Sequence, residues 1–296
     1  MLAQYVAGKN GEAHAAGHQV ANRFVAAQRQ LDLERQAVGG EVAVDGLARA
    51  GAGFAQQEGV GRQVGQAERA GGQGVSGRRN DNERVVEEGR GNAIKLLVRS
   101  LRQLERRWPI RLAVLQGGTA RNALPREAFA IVMLPPEALA GLDGVLAALQ
   151  GTYRKELAGI DDKVSISFTP CSARRVLSQA EQSLWLASLH AAPQGVRRMS
   201  VKLPGVVETS DNLGVVKLAP ESGECCFMVR SLHDSAGIEL ADEIASLFAL
   251  SGTTAEQSGY YPGWTPNHES PLLAVCQEVF HQTFGAESTT QVVHAG

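Results

Sequence analysis

The chain changes character near residue 84, and that break limits which residues can fold together. Residues 1–80 contain no proline, isoleucine, threonine, cysteine or tryptophan, and are dense in Ala, Gly, Val, Gln and Arg. Every proline, from Pro109 to Pro271, lies beyond the break. Upstream, Gly39, Gly40, Gly51, Gly53, Gly59, Gly61 and Gly65 interrupt each run of helix formers. An interior glycine costs a helix about 1 kcal/mol relative to alanine. The large apolar residues are too few to offset the entropy lost on ordering. Residues 1–84 therefore read as poorly ordered, with at most one amphipathic helix around 17–37. Their composition suggests GC-rich DNA translated in an unintended frame.

No chemistry emerges from that stretch. His14 and His18 have the spacing that places two imidazoles on one helix face, but a glycine lies between them and no third ligand is evident. GVGRQVG at 59–65 has neither a preceding strand nor a following GK[ST], so it does not read as a phosphate loop. The whole chain carries a formal net charge of -2, which gives no sign of a nucleic-acid partner. Its four cysteines, Cys171, Cys225, Cys226 and Cys276, show no metal-binding spacing and suit reduced thiols. No apolar run approaches the ~18–20 residues of a membrane span. The expectation is a soluble, cytoplasmic chain with no membrane partner.

Beyond the break the patterning becomes regular. Ile94, Leu97, Val98, Leu101 and Leu104 form one helical stripe that must end before Pro109. Strands are expected at 110–116 and 127–134, around a turn at Gly117-Gly118. A helix opening at Pro135-Pro136 would bury Leu139, Leu142, Leu146, Leu149, Tyr153 and Leu157. The alternation in KVSISF, 163–168, predicts a half-buried strand. A helix over 172–190 follows, ending at a capping His190, then strands at 212–219 and 224–231. A helix with Leu240, Ile244, Leu247 and Phe248 inward comes next. Ser270-Pro271 reads as the start of a last helix, with Leu272, Cys276, Val279 and Phe280 inward. A strand near 290–293 is expected at the end. The fold class is α+β: an antiparallel sheet with helices on one face.

Six phrases in this part resemble one family. EGRGNAIKLLVR (88–99), GGTARNALPREAF (117–129), VVETSDNLGVV (206–216), RSLHDS (230–235), YPGWTPNHESPL (261–272) and the terminal VVHAG look like the aminoacyl-histidine dipeptidases. These cytosolic non-specific dipeptidases cleave Xaa-His pairs and are di-zinc relatives of carboxypeptidase G2. The resemblance covers roughly 88–296. It implies a lid-type, dimerisation-type domain over 85–258, inserted into a split α/β zinc-peptidase catalytic domain. Residues 259–296 would be a partial return into that catalytic domain, and 1–84 a non-family segment.

The resemblance implies a zinc pair held partly through an HxD motif, with a general base in an EE pair. This sequence contains no HxD, and its only EE, Glu87-Glu88, stands at the entry to the first helix. A glutamate pair there suits the helix dipole. His294 begins a signature whose glutamate and cysteine do not follow, and the lid histidine expected just before EGRGN is replaced by GRRNDNERVV. The expectation is no catalytic residue, no metal ligand and no bound zinc for this chain. Two substrate-binding positions carry over by resemblance: Asn122 in RNALPRE and Arg230 in RSLHDS. By residue type alone, Asn122 reads as a turn cap and Arg230 as a surface strand residue. The resemblance instead implies contact with a dipeptide's carboxylate and carbonyl. The reading is a truncated, inactive relative of a dipeptidase with a dipeptide as the family substrate. The alternatives are a non-catalytic lid that forms a homodimer, or a frameshifted product without function.

Overall fold

The apolar stripe at 94–104 and the amide at its head start the fold. The structure, a computed structural model, describes residues 89–290 except 162, 172, 261, 264–266 and 268. It also describes three short upstream strands as backbone, β1 (Ala21–Val25), β2 (Val42–Asp45) and β3 (Gly61–Val64). His14, His18, His268, His294 and all but the first residue of the strand expected at 290–293 fall outside the described residues, as does most of the segment expected to be poorly ordered. Where a helix was expected around 17–37, the described portion is the strand β1.

The first helix, α1 (Ala93–Glu105), opens at Asn92, whose side chain accepts from Ile94 N–H at 2.9 Å and Lys95 N–H at 3.3 Å. Those two bonds satisfy donors that the first helical turn leaves orphaned. All five stripe residues are buried. Strands β4 (Arg111–Gly117) and β5 (Ala128–Leu134) follow antiparallel to each other. A 3-10 turn at Pro136–Ala138 leads into α2 (Leu139–Glu156), which buries Leu142, Leu146 and Tyr153.

KVSISF is not the expected strand: Ser165 makes an isolated bridge, and the extended pair that follows is Thr169–Pro170, β6. Two side chains of α2 take up its backbone groups instead. Arg154 donates to Val164 O at 2.7 Å, and Gln150 accepts from Ile166 N–H at 2.8 Å. Alternation describes which side chains face the core, and a coil satisfied by side chains can show it too. The next helix, α3 (Gln179–Ala191), starts later than expected because Ser178 caps it, accepting from Glu181 N–H at 3.2 Å.

Two strand features exceed the sequence reading. β7 (Gly195–Met199) was not expected, and β8 runs over Val207–Ala219, so the polar stretch ETSDN lies inside it. β9 (Ser222–Ser231) returns antiparallel to β8. Helix α4 (Asp234–Leu250) buries Leu240, Ala241, Ile244 and Phe248, and β10 (Glu256–Ser258) follows. The sheet order is β10-β1-β9-β8-β4-β5-β3-β2-β6, with β7 also on β8. All pairings are antiparallel except β2 with β3. The core joins α1, α2, α3 and α4 to the sheet as one cluster.

The last helix, α5 (Pro271–Phe284), forms where expected but buries none of its residues. Leu272, Val279 and Phe280 are exposed rather than inward, and Cys276 is half-buried.

Gln182 on α3 stitches the layers together. Fully buried, it accepts from Leu112 N–H at 2.6 Å and donates to Glu105 Oε1 at 2.7 Å and Ile110 O at 3.1 Å. Gln182→Leu keeps the volume and orphans two buried backbone groups. The expected cost is about 3 kcal/mol, read as a lower denaturation midpoint in urea.

Candidate functional site

Strand β8 has a different neighbour at each end of one edge. β7 pairs with it up to Asp211, and β4 pairs with it from Val216 onward. The edge between them has no strand partner among the described residues. Buried backbone groups must still be satisfied, and here side-chain amides do it. Gln194 Oε1 accepts from Leu213 N–H at 2.7 Å, and Asn92 Nδ2 donates to Leu213 O at 2.9 Å. Asn92 Nδ2 also donates to Gln194 Oε1 at 3.0 Å.

The loop joining β4 to β5 fills the rest of the gap. Gly118 has φ +69°, and a Cβ there would lie on Gly214 O. A Cβ on Gly214 would lie 2.6 Å from Arg121 O. Both positions require glycine because two backbones approach face to face. Farther along, Ala93 N–H donates to Pro125 O at 3.1 Å, tying the loop to the head of α1. Asn122 is exposed on a turn within this loop.

Register assigns the faces of the β8–β9 ribbon. Asp211 pairs with Val229 and Leu213 with Phe227, and Phe227 meets Phe248 of α4 edge-on at 5.7 Å. That is the helix face. Ser210 pairs with Arg230 and Asn212 with Met228, so these four side chains share the face turned away from α4. Asn212 Nδ2 donates to Arg121 O at 3.2 Å and Ala123 O at 2.9 Å, which brings the Asn122 loop onto that same face. The loop of Asn122 is thus held by a side chain on the face that carries Arg230. Arg230 is half-buried and Asn122 exposed.

Glu208 extends the row on this face. It is buried, with Arg198 Nε 3.2 Å from Oε1 and His233 Nε2 3.9 Å from Oε2. His233 precedes α4 without capping it through its side chain. The returning chain closes this end: Gly263 N–H donates to Asp234 Oδ1, and a Cβ on Gly263 would lie 2.6 Å from Leu232 O. The surface therefore offers a guanidinium, which binds two acceptors in a plane, beside a primary amide that both donates and accepts.

On the helix face, burial dominates the electrostatics. Asp211 is raised from 3.8 to about 7 by burial, which attraction from Lys95 and Arg197 only partly offsets. Its Oδ2 is buried without a hydrogen bond. Lys95 is lowered to about 8, again by burial first. Its ammonium donates to Leu189 O, His190 O and Ala192 O at 2.7, 2.9 and 2.7 Å, so it caps the end of α3. His190, expected to be that cap, is exposed and lowered by its own desolvation and by nearby cations.

The sequence reading named Asn122 and Arg230 but not Asn92, Gln194, Glu208, Asp211 or Asn212. ETSDN is polar at all five positions, so no alternation marks it as the buried strand segment it is. Among the described residues no group of three or more His, Cys, Asp or Glu could hold a metal ion. No helix among them is long and apolar enough to cross a membrane.

A raised carboxyl contributes stability that is fully present below about pH 3.8 and is lost as pH rises through about 7. Asp211→Asn removes that slope. The variant is expected to gain on the order of 3 kcal/mol relative to the native chain between pH 4 and pH 8. Urea midpoints at several pH values would check it. Lys95 has the opposite sign, since its cost is relieved only as pH rises through about 8.

Comparison with known proteins bears out the family likeness. Residues 70–161 match the M20 peptidase dimerisation domain, a match that begins upstream of the compositional break. Over 209 residues the chain is 34% identical to the cytosol non-specific dipeptidase of Escherichia coli (strain K12), covering 70% of this chain and 43% of that protein. The crystal structure of aminoacylhistidine dipeptidase from Vibrio alginolyticus aligns with a TM-score of 0.75 at 29% identity, covering 95% of this chain and 51% of that one. The chain spans about half the length of the relatives it matches.

Proposed function

We propose that this chain is the substrate-gripping lid of an M20-type dipeptidase, with residues 85–258 as the lid and 259–296 as a partial return toward a catalytic domain. Asn122 and Arg230 are its dipeptide contacts. The observation that supports this reading is the shared face of Arg230, by its register with Ser210, and of Asn212, which holds the loop of Asn122. The fork of Arg230 receives the dipeptide's terminal carboxylate. A charge-assisted bidentate pair is shorter and stronger than a neutral hydrogen bond and sets the substrate's orientation. The Asn122 amide donates to the carbonyl of the scissile bond.

The relatives are dipeptidases, and the resemblance implies zinc as the group that would activate water. The described residues do not fit a zinc site, and the sequence has no HxD motif. No hydrolytic step is therefore assigned to this chain, and its part is to bind and orient. A second reading, association as a homodimer, is supported by the dimerisation-domain match and by the exposed strand β7.

Titration of the ¹⁵N-labelled chain with β-alanyl-histidine tests the grip. Shifts are expected at Arg230 Nε–H and at the Asn122 side-chain amide, and Arg230→Met should weaken binding about tenfold or more, the order expected from losing a charge-assisted pair. Unchanged affinity in Arg230→Met would remove Arg230 from the reading. With zinc supplied, the chain alone is expected to leave the dipeptide uncleaved. Turnover proportional to chain concentration, with tightly bound zinc, would overturn that part. Light scattering checks the dimer.

A further inference from the structure

The two backbone carbonyls that flank Asn122 are held by one side chain. Asn212 Nδ2 uses one hydrogen on Arg121 O and the other on Ala123 O, at 3.2 and 2.9 Å. Its Oδ1 accepts from Gln194 Nε2 at 3.3 Å. Gln194 Oε1 in turn accepts from Leu213 N–H and from Asn92 Nδ2. Asn92 spends its second Nδ2 hydrogen on Leu213 O and its Oδ1 on the first turn of α1. Three amides thus form a relay from the cap of a buried helix to the turn that carries Asn122. Both donors of Asn92 and both donors of Asn212 are committed. That fixes which way each amide faces, because reversing one would set donor against donor or acceptor against acceptor.

We infer that Asn212 is a positioning residue, setting the place of the Asn122 amide relative to Arg230. This rests on the reading of Asn122 and Arg230 as dipeptide contacts. The geometry has a specific consequence. Asn212 lies two residues along β8 from Ser210, the partner of Arg230, on the same face. The spacing between the two contacts is therefore set by the strand repeat of β8 rather than by the loop's own preference. A loop held only at Gly118 and Pro125 would keep its ends while its tip moved. Asn212 holds the tip itself. Placement at this level of tolerance separates a productive contact from a loose one.

The test uses the full chain with Asn212→Asp and Asn212→Ser. Aspartate keeps the acceptor toward Gln194 but sets a carboxylate against two carbonyls. Serine keeps one shorter donor. Amide exchange over 119–124 is expected to speed up tenfold or more in Asn212→Asp and by less in Asn212→Ser, while protection in β9 and α1 stays native. With β-alanyl-histidine added, the shift at the Asn122 amide should vanish in Asn212→Asp while that at Arg230 Nε–H persists. A merely structural role would alter both shifts or neither. Native exchange over 119–124 in both variants, or an Asn122 shift that survives in Asn212→Asp, overturns the inference. If Asn212→Asp does not fold, the serine variant decides by the same two readouts. If the native chain shows no shift at either contact, the dipeptide reading fails. The exchange comparison then still decides whether Asn212 holds the loop.

Discussion

Leu213 lies where β8 has lost β7 and not yet gained β4, and its N–H and C=O would be orphaned there without help. An unpaired buried backbone group costs on the order of a hydrogen bond's desolvation. The protein meets this with Gln194 and Asn92 rather than with another strand. Much else follows from that substitution. Asn92 is held where it caps α1, Gln194 is held where it meets Asn212, and the space left over admits the loop of Asn122. The bulge between Leu213 and Val215 lets the strand resume its alternation, so Leu213, Val216 and Leu218 all enter the core. An irregularity in the sheet and the presentation of a candidate contact residue are one structural event.

The two faces of β8 divide its duties by dielectric environment. On the helix face Asp211 and Lys95 lie deep enough that burial outweighs their attraction, and both move toward neutrality. The three carbonyl contacts of Lys95 show that a half-buried ammonium can be satisfied without a carboxylate touching it. On the opposite face the charged groups meet each other or solvent. Glu208 lies against Arg198 and His233, and Arg230 is only half-covered.

The elements legible in the sequence were those whose signal is local. The 94–104 stripe, the paired prolines before α2 and the apolar runs of β4 and β5 each report burial through their own spacing. Ser178 could have been read as a cap from Glu181 three positions on, and the helix expected from 172 shows the cost of following helix formers past it. KVSISF failed because its partners are side chains of α2, which no pattern within the hexapeptide announces. β7, exposed at four of its five positions, had no buried apolar face to reveal it. For the last helix the pattern was right and the burial wrong, since an amphipathic face records what a helix is suited to meet and not whether the partner is present.

Sequence alone determined the α+β class, the break near residue 84 and the likeness to dipeptidases, and it marked Asn122 and Arg230 as candidates, because each rests on residue types in short, contiguous phrases. Tertiary structure decided that a relay of three amides ties the Asn122 loop to β8, and that Asp211 and Lys95 shift toward neutrality. Those outcomes depend on strand register and burial between segments more than a hundred residues apart, such as Asn92 and Leu213. Hydrogen bonds of that range leave no periodicity in the chain. They become visible only once the backbone has set which groups would otherwise be left unpaired.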